Sequence, residues 1–166
     1  MASLPDSRAN ADGLRFRAAT AADLPQLALW NQQLIEDEAH DNTMSLEELV
    51  ARMRTWLTSE YQALVFEDPA TPTPAAYALF RLTPEWIHLR QFFVARDRRR
   101  RGIGARAVAL LRAEIFPPDK SVIVEAMAWN HGALSFWRAV GFADRYVGLE
   151  SHPEGSTQRS SRSLSP

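Results

Sequence analysis

Arginine, glycine and carboxylate residues are spaced in this chain as if to hold an anion and to move a proton. The stretch Val94-Ala-Arg-Asp-Arg-Arg-Arg-Arg-Gly-Ile-Gly-Ala105 leaves an apolar run, Ile87 to Val94, and enters a helical one, Ala105 to Ile115. Glycine lets a backbone approach a ligand closely and adopt torsions closed to other residues. The first amides of a helix have no intrahelical acceptor, and the helix dipole places roughly half a positive charge beside them. Arg99, Arg100 and Arg101, followed by Gly102, Ile103, Gly104 and Ala105, therefore read as a cradle for a phosphate-like anion. A Gly-x-Gly without its arginines would serve equally as a tight turn from strand to helix.

The proton-handling candidates are acidic. Glu125 stands inside the otherwise apolar run Ser121 to Ala128. Burial there would raise its pKa toward neutrality and suit it to act as a general base. The alternative is a structural carboxylate paired with His88 or Arg90 on a neighbouring strand. Glu36, Asp37, Glu38, His40 and Asp41 form an acid-rich segment. Either it attracts a cationic amine, with Glu38 as the proton relay, or it is a solvated loop. His88 and Arg90 alternate onto one face of their strand, and plain exposure is the simpler reading of His88. The four histidines, His40, His88, His131 and His152, lack ligand spacing, so no metal site is expected.

Composition narrows the classes. The 166 residues suffice for one domain with a core. Nineteen basic residues stand against 20 acidic ones, a formal net charge of −1. Basic charge is thus local to Arg96 to Arg101, which argues against a nucleic-acid module built on that run. The absence of cysteine excludes disulfides and thiolate nucleophiles. The chain does not open with a basic segment leading into an apolar run, and no apolar stretch has membrane-spanning length. A cytoplasmic protein with no membrane or nucleic-acid partner is expected.

These residues need elements to position them. Residues 1–12 read as a flexible lead, 13–150 as one domain, and 151–166, rich in Ser and Arg, as a mobile tail. Leu14 to Ala18 alternates like a half-exposed strand. Thr20 with Asp23, and Ser45 with Glu48, are capping-box starts. The first helix puts Leu24, Leu27, Asn31 and Leu34 on one face, and the second aligns Leu46, Leu49, Val50, Met53 and Leu57. Strands follow at Gln62 to Phe66, Ala75 to Leu82 and Glu85 to Val94, joined by hairpin-length turns, hence antiparallel. After the helix ending before Pro117, Ser121 to Ala128 is apolar on both faces and predicts a central buried strand. Asn130 to Val140 predicts a short helix ended by Gly141, and Phe142 to Leu149 a last strand.

In this order, with Arg99-Arg-Arg-Gly102-Ile-Gly104 matching Gln/Arg-x-x-Gly-x-Gly/Ala and Asn130-x-x-Ala133-x-x-Phe136-Trp137-x-x-x-Gly141-Phe142 downstream, the chain resembles the GNAT superfamily of N-acetyltransferases. The resemblance spans Leu14 to Leu149. It implies a mixed α/β fold with a central, mostly antiparallel twisted sheet flanked by helices and splayed between the family's fourth and fifth strands. It implies acetyl-CoA as co-substrate and no metal. The pyrophosphate would lie on the amides of Arg100 to Ala105, and the pantetheine would pair with the backbone of Phe92, Phe93 and Val94. Asn130 would hold the pantetheine end, although it serves equally as an ordinary N-cap. Glu125, five residues before the motif Asn, matches the base of several members, and the acid-rich segment would line the acceptor side. Where the family often has a tyrosine to protonate the leaving thiolate, this chain has Trp137; Tyr146 is the substitute acid. The partners implied are a small-molecule amine, with a small cationic compound the expected class, and a second copy in a homodimer is allowed for. A peptide N-terminal acetyltransferase and a non-catalytic acyl-CoA sensor are the competing readings.

Overall fold

Strand order follows chain order because short turns return each strand beside its predecessor. The computed structural model describes residues 8–9, 13–71, 73–149 and 151. One sheet contains β1 (Arg8–Ala9), β2 (Arg15–Ala18), β3 (Gln62–Glu67), β4 (Pro74–Leu82), β5 (Trp86–Val94) and β6 (Ser121–Val124), in that order. Neighbours are antiparallel through β5, and β5 and β6 are parallel. A parallel pair needs a crossover. Helix α3 (Ile103–Leu110) supplies it, widening over Leu111–Ile115 into a π-type turn in which Phe116 N–H donates to Leu111 O at 2.7 Å. Within the expected lead, Arg8–Ala9 pairs with β2.

The Thr20 box opens a 3-10 turn, Ala21–Asp23, that runs on into helix α1 (Leu24–Asp37), and the Ser45 box opens helix α2 (Leu46–Leu57). The Asp23 carboxylate accepts Thr20 N–H at 2.8 Å, and Glu48 accepts Ser45 N–H at 2.7 Å while its own N–H donates to Ser45 Oγ at 3.3 Å. Asp23 also takes both ends of the Arg17 guanidinium, each at 2.8 Å, which ties β2 to the entry of α1. The apolar faces of α1 and α2 cover one side of the sheet: Leu24, Leu27, Trp30 and Met53 pack with Ala63, Val65, Tyr77, Leu79 and Phe93. Trp30 stacks on Tyr77 with ring centroids 5.9 Å apart, worth about 0.5–1.5 kcal/mol beyond burial. On the opposite side Phe80 meets Phe116 edge-on at 5.1 Å.

A bulge in β5 decides what faces where. Leu79 pairs with Gln91 but Phe80 with Leu89, so Arg90 is an extra residue without a partner in β4. Such an insertion increases local twist and resets the alternation of faces. Ile87 and Leu89 consequently share the Phe80 side, whereas Gln91 and Phe93 join Tyr77 on the α1 side. The pairing with β6 stops at Leu89–Val124, and β5 runs on through Arg90 to Val94.

Two expectations about the C-terminal part are corrected. Ser121 to Ala128 is not a central buried strand: β6 ends at Val124, lies at the edge of the sheet, and is only partly covered. Its apolar residues have a strand on one side only. Residues 142–149 form no strand either. They alternate poorly, Gly148 interrupts them, and Val147 and Leu149 are exposed.

By internal contacts the chain divides after Glu125. The second unit is built on α4 (His131–Ala139), capped by Asn130 and closed by a left-handed Gly141 at φ +91°. Gly141 N–H donates to Arg138 O at 3.0 Å and Phe142 N–H to Trp137 O at 2.9 Å, the two bonds of a Schellman close. Arg138 holds Asp144 by two bonds, at 3.0 and 2.6 Å. The tail reading lies outside the described residues apart from Ser151, as do residues 1–7 and 10–12 of the lead.

Candidate functional site

The turn after β5 has the backbone that the glycines promised. Arg100 is at φ +63° and Gly102 at φ +74°, so the chain passes twice through the left-handed region. A Cβ on Gly102 would meet nothing within 4 Å, which makes torsion, not space, the reason for glycine there. Helical bonding begins when Arg106 N–H donates to Gly102 O at 3.1 Å. The amides of Ile103, Gly104 and Ala105 precede the first available carbonyl and have no intrahelical acceptor.

The arginine run divides into two kinds of residue. Arg96 reaches Asp37 at 2.7 Å and Glu36 at 2.9 Å, and donates to Gln33 O at 3.2 Å. Arg99 bonds Asp37, donates to Val94 O at 3.0 Å and lies 4.9 Å over the Phe93 ring. Arg98 meets Thr73 Oγ1 at 3.2 Å. These three pin the turn to its surroundings. Arg100 and Arg101 are exposed and have no carboxylate partner among the described residues, leaving them as the cations beside the helix start. Upstream, Phe92, Phe93 and Val94 lie on the part of β5 that β6 does not pair. The Phe93 side chain is buried in the α1 core, so only its backbone can face a ligand.

The acid-rich segment also divides. Burial pushes the Asp37 carboxyl up, but hydrogen bonds from Arg96 and Arg99 outweigh it and hold the group below the usual range. Glu36 and Asp37 thus serve the arginine turn instead of forming a free anionic field. Glu38 differs. It is half-buried at the end of α1, and burial pushes its carboxyl above the ordinary range; the His40 charge opposes that rise and the Asp37 charge adds to it. Glu125 departs from its premise: it is exposed, one residue past the end of β6, and not inside an apolar strand.

His88 is half-buried, not plainly exposed, and its Nδ1 lies 3.2 Å from the Tyr61 hydroxyl. Burial lowers its pKa, with the Arg81 and Arg90 charges acting in the same direction and Glu125 opposing them. Tyr77, fully buried, donates to Gln91 Oε1 at 3.0 Å, and burial pushes its hydroxyl far above the ordinary range. Arg52, Trp56 and Tyr61 complete this face, and sequence reasoning missed Arg52 and Tyr61. Arg52 NH2 donates to the buried Asn31 Oδ1 at 2.6 Å. The available signal was helical spacing: Arg52 and Trp56 are four apart, and Asn31 interrupts the apolar face of α1.

In the second unit, Asn130 accepts Ala133 N–H at 3.0 Å and caps α4. Trp137 is buried between Phe136 and Phe142, with ring centroids 5.0 and 4.9 Å away. Tyr146 is exposed in a segment without regular structure, and the strand on which it was expected is absent. Among the described residues no group of His, Asp and Glu could hold a metal, and no helix is long and apolar enough to cross a membrane.

A strand that runs past its pairing with β6 into left-handed turns and the first amides of a helix can bind an extended ligand with an anionic end. A half-buried carboxylate with a raised pKa can take a proton. The family model described as the acetyltransferase (GNAT) family matches residues 29–142. A search of curated protein sequences finds no match. Among solved structures, a mutant Bacillus halodurans protein superposes with TM-score 0.65 at 17% identity, covering 83% of this chain and 98% of that one. An aminoglycoside N-acetyltransferase in complex with CoA gives 0.66 at 12% identity, with 90% and 97% covered. A predicted acetyltransferase from Clostridium acetobutylicum, solved with acetyl-CoA, gives 0.62 at 15% identity, with 84% and 96% covered.

Proposed function

Because the chain belongs to the acetyltransferase (GNAT) family, we propose that it moves an acetyl group from acetyl-CoA to the primary amine of a small molecule, by direct attack in a ternary complex. The observation that carries this reading is continuity. Past its pairing with β6, β5 leads through one short 3-10 turn, Arg96–Arg98, into the left-handed residues Arg100 and Gly102 and then into the first amides of α3. That path fits a ligand with an amide-bearing arm and a diphosphate. The backbone of Phe92 to Val94 would pair with the arm. The amides of Ile103, Gly104 and Ala105, with Arg100 and Arg101, would take the phosphates. Arg99 belongs to this set through the turn it fixes. The role of Asn130 rests on the resemblance alone, since its side-chain oxygen already caps α4.

Acetyl-CoA supplies an activated thioester. An alkylammonium with pKa near 10.4 must lose a proton before its nitrogen can bond the carbonyl carbon as the carbon–sulfur bond breaks. Glu38 is the residue on this face suited to take that proton, directly or through water. Glu125 and Tyr146 are weaker candidates because both stand exposed. Indole cannot protonate the departing thiolate, but a thiol of pKa about 8.5 leaves tolerably without full protonation. Positioning is worth about 7–11 kcal/mol and acid–base help roughly 10²–10⁴ in rate, so the binding path outweighs any one side chain. The expectation of a cationic acceptor rested on the acid-rich segment. Arg96 and Arg99 occupy two of those acids, and Glu38, half-buried with its carboxyl raised by burial, is the acid of this segment that would meet the ammonium end of the substrate.

Acetyl-CoA at micromolar concentration should raise Tm, Gly104→Glu should abolish the rise by placing a carboxylate among the amides, and thiol should be released with at least one amine of a library. Absence of a Tm shift with every acyl-CoA would remove the reading. A shift without thiol release from any amine would leave an acyl-CoA sensor.

A further inference from the structure

Several arginines of the fold answer a carboxylate. Arg17 pairs with Asp23 and Glu67, Arg81 with Glu60, and Arg96 and Arg99 with Asp37. Arg52 and Arg90 do not. Both guanidiniums rest against the indole of Trp56, with Cζ 4.8 and 5.0 Å from the ring centroid, and Arg90 also lies 6.0 Å from the Tyr61 ring. Neither makes an ion pair among the described residues. Arg52 is half-buried, and although its NH2 donates to Asn31 Oδ1 at 2.6 Å, its Nε is sealed from solvent without an acceptor. Burial lowers its pKa, and the neighbouring Arg90 charge lowers it further. Two like charges are therefore held against one aromatic ring that attracts both, and an anion placed beside them would offset their mutual repulsion.

The location gives this pair a purpose. Arg90 is the bulge residue of β5, the first one past the pairing with β6 and thus at the start of the open edge. Arg52 projects from α2 on the same side. Glu38 and Arg52 both act electrostatically on the Tyr77 hydroxyl, so the half-buried acid and the cation pair serve one face.

We propose that Arg52 and Arg90, braced by Trp56, bind an anionic group on the acceptor, so that the substrate is an amine that also carries a carboxylate or a phosphate. This deepens the acetyltransferase reading and rests on it. The ammonium end goes toward Glu38 and the anionic end toward the two guanidiniums, which favours a zwitterion over a polyamine.

The test uses matched pairs on the full chain loaded with acetyl-CoA. By calorimetry, 4-aminobutyrate is compared with its amide, and 2-aminoethyl phosphate with 2-aminoethanol; the two pairs separate carboxylate from phosphate. At least one anionic member should bind tenfold or more tighter than its neutral partner, about 1.4 kcal/mol. Arg90→Gln, at an exposed position, should erase that preference while leaving the acetyl-CoA Kd within twofold. Arg52→Lys, which keeps a donor for Asn31, should weaken it at least threefold. Equal binding within both pairs, no binding of either anionic amine at 10 mM, or a preference that survives Arg90→Gln overturns the proposal. Failure of acetyl-CoA itself to bind would instead strike the proposed function.

Discussion

Replacing Gly102 by Ala tests whether the left-handed turn is needed for torsion alone. The residue sits at φ +74° with nothing within 4 Å of a built Cβ, so alanine meets no clash. What it meets is the penalty of an L side chain in the left-handed region, about 1–2 kcal/mol. The chain can respond in two ways. If it keeps the turn, the penalty appears as lost stability, and at roughly 2–4 °C per kcal/mol for a chain this long Tm falls by about 2–8 °C. If it rotates the peptide to escape, stability survives but the amides of Ile103 and Gly104 lose their aim. A charge-assisted hydrogen bond is worth about 1.5–3 kcal/mol, so acetyl-CoA binding then weakens by roughly ten- to a hundredfold. Differential scanning and calorimetric titration on one sample measure both. Arg100→Gly, at φ +63°, is the mirror control. Relief of the same strain there is partly offset by the entropy of an added glycine, about 0.5–1 kcal/mol, so its Tm should stay level or rise slightly. A Gly102→Ala protein with both Tm and acetyl-CoA affinity unchanged would refute the account of the turn.

Two further outcomes concern the acids. Asp37→Asn removes the carboxylate shared by Arg96 and Arg99. Because those arginines hold its folded pKa below the ordinary 3.8, its contribution to stability is present above that value and lost as pH falls through the lowered one. The wild type should therefore exceed Asp37→Asn in Tm at pH 6, by no more than the 0–1 kcal/mol or so of exposed pairs, and the gap should narrow as pH falls below 3.8; a gap that widens with acid would contradict the assignment. Glu38→Gln should lower kcat by roughly 10²–10⁴ with the acetyl-CoA Kd unchanged. The acid limb of the wild-type kcat/KM profile should lie above the ordinary carboxylate value of 4.5, because burial raises this group, and the variant should lose that limb. A variant within threefold of wild type, with the same limb, would remove Glu38 as the base.

Legibility in the sequence tracked how local the determining interaction is. The capping boxes at Thr20 and Ser45 and the Schellman close at Gly141 involve residues at most five apart, and all three stand where the spacing placed them, whereas α3 begins at Ile103, two residues ahead of the expected Ala105. The partition of the arginine run was not legible. It depends on Asp37, about sixty residues upstream, reaching Arg96 and Arg99, and nothing within the run distinguishes those two from Arg100 and Arg101. Glu125 misled for a related reason. Three apolar residues before it imply burial only when both edges of the strand are covered, and coverage is a tertiary fact. Arg52 was overlooked because a polar residue in a helix ordinarily faces water, whereas here Asn31 and Trp56 hold it inward.

The bulge at Arg90 joins the two halves of the functional argument. The alternation of Ile87, Leu89, Gln91 and Phe93 runs unbroken in the sequence, and a regular strand would put all four on one face. The inserted residue instead turns Ile87 and Leu89 toward the Phe80 side and Gln91 and Phe93 toward α1. The same insertion adds twist, and β6 pairs with β5 only up to the residue before it. One extra residue thus opens the strand edge proposed for acetyl-CoA and presents a guanidinium beside the opening, on the side from which an acceptor would approach. Neither consequence follows from composition or periodicity. Both follow from a single shift of register, so a deletion that restored regular pairing at Arg90 should remove acetyl-CoA binding and the anion preference together.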